Sequence, residues 1–376
     1  MRIFVKSVSL ILLVLVPCFV LFAGQSLEEK LQTMVAKNAE MYMNPLATAF
    51  GSGMNSGWFH SAKPHKLLGF DIGVRAMMVT FPDDQKEFKF DISQLEDYDF
   101  STTLSIPGVA TSYSIDLSAA DLYPNTEVPT VLGSSKGVDL RADKEQIVQM
   151  ITGQLIDQGA SSQVLSLAST YISQAADNAL NVVPPLTIAG TGLDFLPVVV
   201  PQAAIGLSIP TLPIKAEVVL RGIPEVELSE ELGSFKFFGG GGKLALDPFI
   251  PIPMFPVNIA LGAYTQKMSL GTILEANNSL FSLMVGKDLS LLLFGVGVYG
   301  AVGLESSNIK IKYEYMNNDD LQDPLNGTKI KFDMKGDNKF RTTLGAHLRL
   351  ALFNISADYS MGADNVLTAG LGISIR

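Results

Sequence analysis

Residues 365–376 alternate almost without error between two chemistries. Leu367, Ala369, Leu371, Ile373 and Ile375 fall on one side, and Thr368, Gly370, Gly372, Ser374 and Arg376 on the other. Successive side chains of a β-strand point to opposite faces, so this segment has one apolar face and one small or polar face. The same period returns in segment after segment. Nothing after Phe22 supplies the roughly 18 consecutive apolar residues that read as a spanning helix. The nearest rival, Leu291 to Leu304, is broken by Gly295, Gly297, Gly300 and Gly303. A hydrophobic exported chain without such helices can satisfy its backbone in lipid only as a closed barrel.

Export is read from the first residues. Arg2 and Lys6 precede an apolar run from Val8 to Phe22, and Ala23 and Gly24 follow. That order marks a secretory signal peptide over 1–23, with cleavage expected after Ala23. Cys18 is the only cysteine, and Pro17 before it makes a poor lipidation site. Losing the signal leaves a mature chain with no disulfide and no thiol. The formal charge of −10 becomes more negative without Arg2 and Lys6, which argues against a nucleic-acid partner. Only 17% of residues are charged, and the mean hydropathy of +0.29 is greasy for a secreted protein.

Residues 24–66 read as a helical segment. Ser26 and Glu29 make a capping box, and Asn44-Pro45 starts a second short helix. Such a preface would either plug a barrel or stand as a soluble periplasmic arm. Amphipathicity alone names no partner. Strands are expected at 68–78, around Phe88, Phe90 and Ile92, and around Tyr113, Ile115 and Leu117. The period then changes: 144–181 suits two helices broken near Gly159, capped by Asp143 and Gln146, as an outer loop or a lumenal element. Strand patterning resumes at 202–209, 214–221, 234–246, 256–266, 268–275, 279–287, 290–304, 307–316, 328–334, 340–350 and 353–360, and the last strand follows. The expectation is an all-β fold, an antiparallel transmembrane β-barrel over 67–376 of about 12–16 strands, with 14 the best count.

The charges define the inner face. Asp71, Arg75, Lys215, Glu217, Arg221, Arg341, His347, Arg349 and Asp358 take the register opposite the apolar set and are the candidate lumen-facing residues. Lys310, Lys312 and Glu314 are read the same way. An Arg or Lys facing lipid at the midplane costs roughly 2–4 kcal/mol, so such a face must be wet. The competing reading is a soluble β protein with solvated polar faces. Against it stand the sparse Lys, Glu and Thr decoration and the many Gly and Ala inward positions. Ion pairs across neighbouring strands account for most of these charges. On this reading Leu344→Arg impairs membrane assembly while Gly345→Arg is tolerated or merely narrows the lumen.

No catalytic chemistry emerges. His60 and His65 have a metal-like spacing but no flanking carboxylate or thiol, so no metal site is expected. His347 has Thr343 and Ser356 as conceivable neighbours without any hydrolase signature, and reads as a polar pore-lining residue. Gly239–Gly242 lacks the Lys-Ser/Thr of a phosphate loop and marks a bend or bulge instead. Neither an enzyme nor a cofactor is expected.

Residues 55–73, NSGWFHSAKPHKLLGFDIG, together with 220–228, 235–239 and the closing strands, resemble an uncharacterised family of bacterial envelope proteins, a domain of unknown function. That resemblance brings no site residues with it. In layout alone, a helical preface before a barrel is similar to the long-chain fatty-acid transporter group. Barrels of that type usually end in an aromatic residue, whereas this chain ends Ile375-Arg376. The reading is a barrel in the outer membrane of a Gram-negative-type bacterium, passing or binding small solutes, with hydrophobic compounds the most specific version. Its partners would be outer-membrane lipid, an unidentified small solute and the barrel-assembly machinery. The alternative is a surface or periplasmic β protein with a structural or adhesive role and no pore.

Overall fold

The computed structural model describes residues 36–94, 99–183, 185–207, 214–229, 233–252, 256–272, 274–291, 293–314 and 329–375. The export signal and the Ser26–Glu29 cap lie outside the described residues. The chain divides into two compact units. One holds Met43–Pro82 and Asp194–Arg376; the other holds the chain leading to Tyr42 and Asp83–Leu193.

The first unit is a closed antiparallel barrel. Its strands are β1 (Phe70–Thr80), β2 (Leu196–Gly206), β3 (Ala216–Ser229), β4 (Gly233–Ala245), β5 (Asn258–Leu270), β6 (Leu274–Leu291), β7 (Phe294–Glu314), β8 (Phe340–Leu350), β9 (Phe353–Met361) and β10 (Asn365–Ile375). Each pairs with the next, and β10 returns to β1 with Phe70 opposite Ile375, so no edge is left in the closed wall.

Ten strands close where fourteen were expected. The segments 290–304 and 307–316 fuse into β7, and a further strand, Lys329–Lys335, pairs with the distal part of β7 outside the closure. The strands near 88 and 113 belong to the other unit. Alternation sets which face a strand shows, but not which sheet it joins.

The two ends of the barrel differ. At the rim where β1 begins and β10 ends (the near rim), the connections are 207–215, 246–257, 292–293 and 351–352. At the opposite, far rim they are 81–195, 230–232, 271–273, 315–339 and 362–364. Outward positions are apolar and exposed along the near part of the wall, as with Phe281, Leu283, Val298, Val302, Leu304, Leu344, Leu371 and Ile373. This band stops abruptly. Beyond Phe281 and Leu304 the outward positions become Ser279 and Ser306, whose hydroxyls meet at 2.9 Å, and then Lys310 and Lys312. Lys310 and Lys312 therefore face outward, contrary to the inward register expected of them. Among the described residues, no helix is long and apolar enough to cross a membrane.

Gly239–Gly242 is no bulge. It keeps unbroken register with β3 and β5, and the irregularities of β4 lie earlier, between Gly233 and Phe237. The glycines make room instead. A Cβ on Gly239 would stand 3.1 Å from the Trp58 ring, and one on Gly241 would stand 2.6 Å from the Tyr264 ring.

Helix α1 (Ala36–Met54) runs unbroken through Pro45, so no second helix starts there. Pro45 cannot bond back to residue 41. The Asn44 amide reaches Asp337 at 3.1 Å rather than capping a new helix.

The second unit includes α2 (Ala119–Leu122), α3 (Lys144–Asp157) and α4 (Ser162–Val182), with three two-stranded ladders. The helices expected over 144–181 are thus part of a larger insertion. Asp143 and Gln146 form a reciprocal capping box on α3, and Gly159 breaks the pair at φ +89°. The Lys37 ammonium bonds Asp91 at 2.8 Å, and that bond, with Ser93, holds the Asp91 carboxyl down at about 2.

One edge of the strand Ser112–Leu117 pairs with Phe100–Ser105. Its other edge is closed by side chains. Gln158 accepts from Ser114 N at 3.0 Å and donates to Ser114 O at 2.6 Å; Gln154 does the same for Asp116 at 3.0 and 2.7 Å. Helix positions four apart lie about 6 Å apart along the axis, close to two residues of strand. Replacing both glutamines by leucine should cost about 2 kcal/mol, since four modest hydrogen bonds go. Limited proteolysis of the full chain should then cut within 99–118 at roughly 30-fold the native rate if opening is local. An unchanged rate would deny the glutamines this role.

Candidate functional site

The barrel interior is occupied by the chain's own residues 43–66. Entry is at the far rim, where Asn44 and Thr48 bond Asp337 and Gly51 packs against Ser307 and Asn338. The helix ends at Met54, and Asn55 to His65 continue without helical structure to the near rim. Buried peptide groups outside a ladder or helix need other partners. The wall supplies them.

Arg221 donates to Met54 O at 3.1 Å and Ser56 O at 2.8 Å, and Gln266 donates to Met54 O at 2.6 Å. Arg341 donates to Ser52 O at 2.8 Å and Ser56 Oγ at 2.6 Å. Gln202 reaches Trp58 O, Tyr299 reaches Phe59 O and Lys243 reaches Ser61 O, at 3.2, 3.4 and 2.8 Å. Trp58 is clamped between two wall residues. Its ring stacks on Tyr264 at 4.9 Å, and the Arg221 guanidinium lies 3.9 Å from its centroid. Trp58, Phe59 and Ala62 share a buried cluster with Ala204, Val219, Tyr264, Leu280 and Tyr299.

Six of the wall charges form three ion pairs. Asp71 meets Arg75 at 2.9 Å, Glu217 meets Lys243 at 3.0 Å and Glu305 meets Arg341 at 2.9 Å. Of the nine candidate lumen-facing residues, Asp71, Arg75, Glu217, Arg221, Arg341, His347 and Asp358 are buried in the filled interior. Arg349 is half-buried near the end of β8. Lys215 departs from the expectation: it precedes β3, is exposed, and lies 3.7 Å from Asp247.

All three histidines of the chain converge here. His60 lies 6.1 Å from His65 and 5.7 Å from His347, ring to ring. His60, His65 and Asp71 offer ligand atoms within 4.8 Å of one another, the carboxylate coming from six residues beyond His65. Arg75 already acts as the cation of this cluster, bonding Asp71 and lying 3.2 Å from His60 Nδ1. With Glu217 balanced by Lys243, a divalent ion would leave two uncompensated buried charges. The residues therefore fit a metal poorly.

Ser374, His65 and Glu217 have the connectivity of an acyl-transfer relay, with contacts of 3.2 and 2.6 Å. The Ser374 hydroxyl has no room for a substrate, because its side chain is buried at 1% exposure. Asp288 joins His347 at 3.1 Å and Ser61 at 2.9 Å, again tying wall to filling. One enclosed space, lined by Ser56, Phe59, Arg341, Thr343 and Asp358, measures about 10 Å³, room for about one water.

The sequence reading missed Lys243, Glu305, Tyr299, Gln266 and Asp288 as interior groups. Each sits in the inward register of its strand, so correct phasing of β4 to β7 was the available signal.

The family model of DUF6588, a family of unknown function, matches residues 1–375. No curated protein matches by sequence. Among solved structures, the β domain of the Bordetella autotransporter BrkA is 15% identical with a TM-score of 0.19, over 47% of this chain and 91% of that one. A mutant Rhodopseudomonas blastica porin is 10% identical with a TM-score of 0.14, over 50% of this chain and 94% of that one. Likenesses this faint add nothing to what the strand pairing shows.

Proposed function

The chain belongs to DUF6588, which lends it no activity, and from the geometry we propose an outer-membrane barrel closed to solutes that anchors the inserted unit at the membrane. The supporting observation is the pairing of an apolar, exposed outer band with an interior filled by charged and polar groups. On β7 the outward residues run Phe294, Val296, Val298, Gly300, Val302 and Leu304 before Ser306. A band of that length on a tilted strand suits the roughly 25 Å apolar belt of outer-membrane barrels. Export would use the signal at 1–23, and insertion the barrel-assembly machinery. The interior is a packing device in this reading, with no enzyme, metal or cofactor role.

Passage of small solutes, hydrophobic compounds included, finds little support in an interior threaded by residues 43–66, which bond the wall from one rim to the other. Purified chain in a planar bilayer should show no stepwise conductance. Sustained, reproducible openings would favour the solute-passing reading over this one. The band has its own test. Val298→Arg places a charge at a position 64% exposed within it and should cost about 2–4 kcal/mol of insertion, whereas Ser306→Arg should assemble normally. Membrane fractionation and heat-modifiable gel migration read the difference. Equal behaviour of the two variants would count against a lipid-facing band.

A further inference from the structure

Residues 43–66 thread the barrel rather than dock into one end. At the far rim Asn44 Nδ2 bonds Asp337 and Asp337 N bonds Thr48 Oγ1. At the near rim His65 bonds Glu217 and Ser374, Gly69 N bonds Lys66 O, and Leu68 N bonds Gly206 O. The chain leading into Met43 and the turn 66–69 that starts β1 therefore leave the barrel at opposite rims. Residues just upstream of Met43 belong to the compact unit that includes 83–193, whose links to the barrel, after Thr80 and before Leu196, are both at the far rim.

The rims are chemically unlike. Near-rim connections carry exposed Leu67, Leu68, Leu207, Leu293 and Leu352, and two of them are only two residues long. Past the far end of the apolar band, β7 and the strand beside it present Lys310, Lys312, Lys331, Asp333 and Lys335 to water. Outer-membrane barrels have short periplasmic turns and longer extracellular connections. The far rim holds the two longest connections, 81–195 and 315–339.

Resting on the membrane reading above, we infer that the far rim faces the cell exterior. The inserted unit 83–193 and the chain just before Met43 are then displayed outside, and the turn 66–69 faces the periplasm. A segment that precedes the first strand has thus been carried outward through the lumen, and it is held there from both ends. Withdrawal toward the exterior would tear the turn from β1. Withdrawal toward the periplasm would pull the upstream chain back through the lumen.

Single cysteines in a Cys18→Ala background test this with a membrane-impermeant maleimide. Glu40 and Ser169 are exposed residues of the unit whose chain links leave the barrel strands at the far rim, and Lys66 is exposed at the near rim. Glu40→Cys and Ser169→Cys should label on intact cells, and Lys66→Cys only after the outer membrane is permeabilised. If Lys66→Cys labels on intact cells, or Glu40→Cys and Ser169→Cys label only after permeabilisation, the orientation is overturned while the chain remains in the membrane fraction. Recovery of the labelled protein in the soluble fraction overturns the membrane reading itself.

Discussion

Arg221→Ala is expected to leave the barrel largely unassembled. The guanidinium reaches Met54 O, Ser56 O and Gln202 Oε1 and covers the Trp58 ring. Met54 O keeps its bond from Gln266, so the substitution strands two buried acceptors, at roughly 1–3 kcal/mol each. A desolvated cation–π contact worth about 2 kcal/mol goes with them. The sum of about 4 kcal/mol or more is a large part of a typical folding stability of about 5–15 kcal/mol. The heat-modifiable gel band should be lost or should convert at a markedly lower temperature. Arg221→Lys should recover little, because an ammonium cannot serve three divergent acceptors as a planar fork does. Native migration of Arg221→Ala would show that the filling is held without this clamp.

Gly345→Arg is expected to fail as badly as Leu344→Arg, for a different reason. Leu344 is 59% exposed on the outward face, where an arginine meets lipid in the proposed setting. Gly345 faces inward, where an open lumen would have admitted an arginine. A Cβ there already lies 2.7 Å from Asp358 Cβ and closer still to the Tyr299 ring. Overpacking a filled interior commonly costs about 1–3 kcal/mol for extra methylenes alone, and an arginine side chain far exceeds that. The folded, heat-modifiable fraction should fall for both variants. Normal assembly of Gly345→Arg would mean the interior is far looser than these contacts imply.

The reversal at Gly345 shows where the sequence stopped being legible. Two-residue alternation identified both faces of β1, β8, β9 and β10, because each strand is short enough for one phase to hold throughout. It misjudged Lys310 and Lys312, because β7 outruns the apolar band and its outward face turns from valine and leucine to serine and lysine. Small inward residues left room either for a lumen or for a filling, and the structure takes the second course: Gly239, Gly241 and Gly345 each accommodate an aromatic ring. The strands near 88 and 113 alternate as barrel strands do, and only their pairing, with 127–129 and with the neighbouring 100–105, assigns them elsewhere. His60, His65 and Asp71 could not be joined on paper, since a turn of the backbone at 66–69 brings them together.

The wall meets its filling chiefly at carbonyl oxygens: those of Ser52, Met54, Ser56, Trp58, Phe59 and Ser61. A grip of this kind recognises the path of a polypeptide and is largely indifferent to its lettering. Lettering still counts where space or backbone shape demands it: a Cβ on Gly51 would meet Ser307, one on Gly53 would stand 2.8 Å from Val79, and Gly57 sits at φ +68°. A foreign peptide grafted into 52–56 would therefore have to keep Gly53 and the Ser56 hydroxyl that accepts from Arg341.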